Sequence, residues 1–323
     1  MSVNVNTRCK FNDLQTIILE NEYLKLIILP EAGGKIFSIY DKNKQVELLW
    51  QNSQVIPQKL GGSACFDDQW AGGWDIIFPN DLAVVFKGIT LPDHGELWNM
   101  EWDFSVSKWT EEEIIVRLET FAPINRVYVK QEFVLKESAK DFTINYTIRN
   151  TGNEEVEYFY RLHPALMVEA GSVLYIPGGI VYCDKEFNSP ACCHNSYQWP
   201  LMPVTDDELR DMSKIPSPHV QETVFQYIHI REGWFAMYHP VRQTGIKMEF
   251  DKKFFPYITY FASFGGWREH YVAVVEPSTG YPADLEQASK DGRTNKLEAY
   301  GTIHFTNKVS LIRMGLIPRS LLR

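Results

Sequence analysis

The chain has 323 residues, of which 45% are hydrophobic and 14% aromatic, enough for a sizeable core in one or two domains. Its formal charge of −9, with 32 basic residues and no Lys/Arg-rich run, argues against nucleic acid or an anionic membrane surface as partner. No apolar run reaches the roughly 18 residues of a membrane span, and the polar stretch 1–16 lacks the apolar region of a signal peptide, so a cytoplasmic location is expected.

Period-2 alternation dominates from end to end. Strand-like runs appear at 24–29 and 34–40, and then at Ile114, Val116 and Leu118. They continue through Val127, Val129, Gln131, Phe133 and Leu135, and through Phe142, Ile144, Tyr146 and Ile148. Asn150-Thr151-Gly152-Asn153 supplies a turn, and the following run sets Phe159, Arg161 and His163 on one face, with Pro164 expected to end regular pairing. Later runs are predicted at 234–238, 246–250, 257–264, 271–275 and 299–305. Helix signals are few: Thr205-Asp206-Asp207-Glu208 fits a capping box opening one short helix, and 282–289 fits a turn or two. So many strands with so little helix predict an all-β sandwich or barrel.

The five cysteines are irregularly placed. Cys183, Cys192, Cys193 and His194 lack paired metal-ligand spacing, so reduced thiols are expected and no metal is called for. Nucleotide-binding glycine loops and a serine-hydrolase elbow are absent from the sequence, and no cofactor is expected.

Three segments carry chemistry. Leu91-Pro92-Asp93-His94-Gly95-Glu96-Leu97-Trp98 sets a histidine in a turn beside two carboxylates and a tryptophan. Arg161-Leu162-His163-Pro164 puts a second histidine at a strand end. Glu276 closes the apolar run 271–275, where desolvation raises a carboxylate pKa and makes it a better base. His94, His163 and Glu276 together suit acid–base chemistry on a neutral polyol. The competing reading for each is structural: a core histidine satisfied by a carbonyl, or a glutamate bonding its own turn. Trp74 and Trp267, each after a Gly-Gly pair, and Trp98 fit a pocket rim where indoles stack on sugar C–H faces.

With those segments in order, the chain resembles the aldose 1-epimerase (galactose mutarotase-like) family. The likeness rests on Gly33-Gly34-Lys35-Ile36, on His94-Gly95 with Trp98, on His163-Pro164, and on Glu276-Pro277 followed by Tyr281-Pro282-Ala283-Asp284. The resemblance spans nearly the whole chain and implies a single domain over 1–323 with a large antiparallel β-supersandwich. It implies a monomer or homodimer acting on a small-molecule sugar, in which Glu276 takes the anomeric proton, His163 protonates the ring oxygen and His94 stabilises charge. Two departures stand out. Ala165-Leu166-Met167-Val168 replaces the usual Y-x-N-L, and between Leu60 and His94 the only basic residue is Lys87, where relatives carry an arginine. Sugar contacts are therefore expected to differ, with Glu96 and with Arg161, Arg268 or Arg126 as candidates. Two other function classes fit part of the pattern. One is a carbohydrate-binding protein of this fold without turnover; the other is a metal-dependent barrel using His94, Glu96 and His163.

Overall fold

The computed structural model describes residues 3–61, 64–184 and 195–313. Among them, two large antiparallel sheets of 14 and eight strands dominate the fold, with three two-stranded sheets beside them. The smaller sheet follows the expected alternation closely. Its strands Glu113–Ala122, Val127–Lys136 and Asp141–Asn150 pair in hairpin order. They bury Val116, Phe133 and Ile144 on one face while Arg117, Glu132 and Thr147 stay half-exposed on the other. The side-chain period of 2 sorts the residues, and burial of the apolar set fixes the register.

Seven strands of the larger sheet frame the candidate site: β1 (Leu24–Leu29), β2 (Lys35–Asp41), β3 (Trp74–Ile77), β4 (Arg161–Met167), β5 (Glu222–Ile230), β6 (Tyr257–Phe264) and β7 (Tyr271–Ser278). They lie side by side in the order β1-β2-β3-β4-β7-β6-β5. Central strands carry side chains to two covered faces, which is why they read as nearly continuous apolar runs. One face sends Ile76, Leu162, Ile258 and Val275 into the main core, where they join Val116, Ile144 and Met248 of the other sheet. That shared core makes the molecule a β-sandwich. The opposite face of β3, β4, β7, β6 and β5 is free to carry something else.

Helices are two short pieces among the described residues: α1 (Phe66–Gln69) and α2 (Leu285–Lys290). The Asp284 carboxylate caps α2 by accepting from the Gln287 amide at 3.0 Å, within the expected stretch. The helix expected to open at Thr205 does not form. Residues 204–208 are instead the loop of a hairpin between Leu201–Pro203 and Leu209–Asp211, closed by Val204 N–H donating to the Glu208 carbonyl at 2.8 Å. Strand pairing on both sides leaves too little chain for a capped helical turn. A second correction concerns the thiols. Cys9 and Cys65 are free, but Cys183 is disulfide-bonded, with its partner outside the described residues. Sequence spacing alone does not reveal which thiols the fold brings within bonding reach. Cys192, Cys193 and His194 also lie outside the described residues.

Candidate active site

The site is built from rows of side chains that cross the sheet. In an antiparallel pair, residues directly opposite share a face and sit closest together. Asp75 of β3 pairs with His163 of β4, and Glu276 of β7 pairs with Thr259 of β6, which in turn faces Tyr227 of β5. The β4–β7 register is Arg161 with Ser278 and Ala165 with Val274, which sets His163 opposite Glu276. One polar row therefore runs Asp75, His163, Glu276, Thr259, Tyr227. Beside it runs an apolar row of Ala165, Val274, Phe261 and Phe225. Pro164 does not end the strand as expected. It stays paired with Trp74, and β4 continues to Met167. Pro lacks only the N–H, and the interruption appears solely on the β7 side, between Arg161 and Ala165.

His94 reaches the same place from a turn. Its φ is 57° and that of Gly95 is 71°, two left-handed residues in succession. A Cβ at Gly95 would fall 2.0 Å from the Phe78 carbonyl oxygen, so only glycine fits behind this histidine. Backbone bonds from His94 N–H to the Asp81 carbonyl (2.6 Å) and from Glu96 N–H to the Phe78 carbonyl (2.7 Å) tie the turn to the end of β3. The imidazole stacks on Phe66 of α1, with centroids 3.8 Å apart and planes within 4°. Its ring lies 6.2 Å from that of His163, edge to face. Phe66, Trp70, Phe261 and Trp267 wall a cavity of about 150 Å³, and His94, His163 and Glu276 all line it.

Charge is arranged unevenly around that cavity. Burial pushes the Glu276 carboxyl well above the ordinary carboxylate value; Arg161 opposes the rise, Asp81 adds to it, and burial prevails. Burial, reinforced by the charge of His94, holds His163 well below the ordinary imidazole value, so its ring is neutral at pH 7. His94 goes the other way. Burial acts to lower it, but Asp93 against Nδ1 and the fields of Asp81 and Asp67 outweigh burial and raise it. The Asp93 carboxylate is 3.0 Å from Nδ1, close enough for an ion pair though not aligned as a hydrogen bond. Asp81 lies between two cations: one oxygen accepts from Arg161 Nη1 and the other is 3.6 Å from His94 Nε2. Arg161 is itself sealed in the protein, with Nε and Nη2 unpartnered among the described residues. A second buried pair, Lys35 Nζ to Asp75 Oδ1 at 3.0 Å, lies on the other side of His163 in the polar row.

One polar group at the cavity is left unused by the protein: no hydrogen bond among the described residues holds the Glu276 carboxyl. A buried polar group costs free energy unless something pairs with it, and a bound hydroxyl would do so.

Solved structures match this architecture over nearly the full chain. A Klebsiella pneumoniae protein provisionally named an aldose 1-epimerase superimposes with a TM-score of 0.72 at 14% identity, covering 96% of this chain and 83% of that one. A galactose mutarotase-like protein from Clostridium acetobutylicum gives 0.68 at 13% identity, covering 97% and 99%. The fold is that of the galactose mutarotase-like proteins. The Slr1438 protein of Synechocystis sp. PCC 6803 shares it at a TM-score of 0.69 and 16% identity, over 95% of this chain and 99% of that one. Sequence likeness is narrower. A family model described as a domain of unknown function, DUF5107, matches residues 3–82, a stretch that includes α1, β3, Asp75 and Asp81 but neither histidine nor Glu276.

Within this mutarotase-like fold the expected site residues separate into two groups. His94, His163, Glu276 and Trp267 line the cavity. Trp98 stands behind it, edge-on to Phe66 at 5.0 Å, with Nε1 donating to the Asp93 carbonyl. Trp74 points to the main core, because it lies one residue from Asp75 on a strand and therefore on the other face. Glu96 is turned away and clamps a loop, accepting from the Ile124 and Asn125 amides at 2.8 and 3.3 Å. Arg161 lies under the cavity, behind Asp81. Arg268 is not among the residues that line the cavity; it is exposed beside α1, with Nη2 on Asp68 at 2.8 Å. Sequence reasoning missed Asp67, Asp81, Phe66, Phe225 and Phe261. The last two had a usable signal, since Phe261 sits two residues from Thr259 on the same strand face. The first three sit in loops and a four-residue helix, where no periodicity points anywhere.

Proposed function

We propose that the protein is an aldose 1-epimerase-like isomerase that interconverts the anomers of a free or modified monosaccharide. The observation that carries the reading is that two proton carriers, His163 and Glu276, face one aromatic-walled cavity from opposed positions on adjacent strands. Mutarotation asks for little else. A base removes the proton from the anomeric hydroxyl, an acid protonates the ring oxygen, and the C1–O5 bond breaks as the C1 carbonyl forms. Rotation about C1–C2 and closure on the other carbonyl face then reverse both transfers.

Glu276 is the base and His163 the acid. Their shifts suit the roles: a raised carboxylate pKa makes a stronger base, and a lowered imidazole pKa makes a stronger acid. The reactive state is the Glu276 carboxylate facing a protonated His163 across the substrate, and each transfer passes the proton through the sugar rather than directly between the two side chains. His94, held towards its cationic form, stabilises negative charge that develops on the substrate oxygens.

The test is NMR saturation transfer between anomer signals for a panel of aldoses, with Glu276→Gln beside the wild type. Exchange faster than in buffer, lost by about 10²–10⁴-fold in the variant, is the expected result. Sugar binding without accelerated exchange would instead favour a carbohydrate-binding protein of this fold.

A further inference from the structure

The cavity is lined by more carboxyl groups than acid–base chemistry needs. Asp67, Asp81, Asp93 and Glu276 line it, and among the described residues no Lys or Arg does. Three of these carboxyls are accounted for: Asp81 holds Arg161, Asp93 lies against His94, and Glu276 is the proton carrier. Asp67 has no such partner. It is half-buried on α1, and its carboxylate makes no hydrogen bond or ion pair among the described residues. The nearby Arg268 is spent elsewhere, with Nη2 on the Asp68 carboxylate and Nη1 on the Asp67 backbone carbonyl, both at 2.8 Å. Burial raises the Asp67 pKa, and His94 and Arg268 only partly offset it.

A set of acidic side chains does not by itself make a site. Here a separate observation points to a ligand: Glu276, more than nine-tenths buried, lines the cavity with a carboxyl that makes no hydrogen bond among the described residues, and the buried His163 lines it as well. Trp70, Phe261 and Trp267 add a surface for an apolar C–H face.

Resting on the isomerase reading, we infer that the preferred substrate is an amino sugar, an aldose whose ammonium group pairs with Asp67 while its anomeric end meets Glu276 and His163. The same carboxylates disfavour phosphorylated, sulfated and uronic-acid sugars by like-charge repulsion in a partly desolvated space. The selection is for charge as well as shape.

The experiment compares kcat/KM for anomer exchange among glucose, its 2-amino and 6-amino deoxy derivatives, and glucuronate, at pH 6 where the amines are charged. Dissociation constants are measured in parallel from the fluorescence of the cavity tryptophans. The expected result is that the better amino sugar exceeds glucose about tenfold in both quantities, with glucuronate weakest. In Asp67→Asn the amino-to-glucose ratio falls to about one, and Asp67→Glu restores part of it. An amino-to-glucose ratio at or below one in the wild type, a ratio that survives Asp67→Asn, or a preference for glucuronate would overturn the inference. If no sugar exchanges faster than in buffer, the isomerase reading fails, and the ratio of dissociation constants still decides the ligand class by the same outcomes.

Discussion

His94 and His163 have rings 6.2 Å apart in one cavity, yet opposite charge preferences. Both are taken out of water, which disfavours the imidazolium. The difference lies in what faces each ring. Asp93, Asp81 and Asp67 surround His94 and more than repay its desolvation. His163 sits in a strand row beside the Lys35–Asp75 pair; burial is reinforced by the positive charge of His94, Arg161 and Lys35, and a backbone contact offsets it only in part. Burial alone therefore does not decide a histidine's role. The neighbouring carboxylates do: they favour the cationic form of one ring and leave the other in its neutral form.

The comparison can be broken most severely at the proton carrier. His163→Asn should reduce kcat for anomer exchange by about 10²–10⁴-fold with little change in sugar affinity, measured by NMR exchange and fluorescence titration. Asp81→Asn attacks the partner that the two sides share. It leaves Arg161 buried and unpaired, and a cost of roughly 3–5 kcal/mol is expected from denaturant unfolding. The variant should also lower the His94 pKa, read from its ring proton shifts. His94→Asn should be milder, about tenfold to a hundredfold across kcat and KM together, because its role is charge stabilisation rather than proton transfer.

The pH dependence of stability gives a smaller but sharper signal. His163 has a lowered folded pKa, so its contribution is fully present above the unfolded imidazole value of about 6.5. It is lost as pH falls from there through the folded pKa. His163→Asn should flatten the melting profile below about pH 6.5. Glu276 has a raised folded pKa, so its contribution is present below the unfolded carboxylate value and lost as pH rises through the folded one. Glu276→Gln should accordingly melt higher than the wild type at pH 8, with the gap closing under acid. The smallest effect belongs to Arg268→Ala, which removes an exposed, solvent-screened ion pair with Asp68 and should leave the melting midpoint unchanged within error.

The fold was legible because one-sided burial writes a period of 2 into the strands of the smaller sheet, and two-sided burial writes apolar runs into the central strands of the larger one. The expected runs at 24–29 and 257–264 coincide with β1 and β6. The same period, followed one residue further, puts Asp75 on the cavity face and Trp74 in the core, against the expectation drawn from its Gly-Gly neighbours. His94, His163 and Glu276 were readable as chemistry because each combines an ionisable group with a conformational marker: a glycine that alone fits behind it, a proline within a strand, an apolar run. Asp67, Asp81 and Phe66 carry no such marker. Their importance comes from the approach of α1 and the β3 exit to strands far away in the chain. Short-range pattern contains no term for that, and it is also why the 205–208 capping box misled.

The most direct measurement is a double-mutant cycle on kcat for anomer exchange, using Glu276→Gln, His163→Asn and the pair. If the two residues act in one concerted transfer across the substrate, each single variant stops it, and the double variant should be no more than about tenfold slower than the worse single one. Losses that multiply in the double variant, or a Glu276→Gln protein that keeps wild-type turnover, would contradict the account.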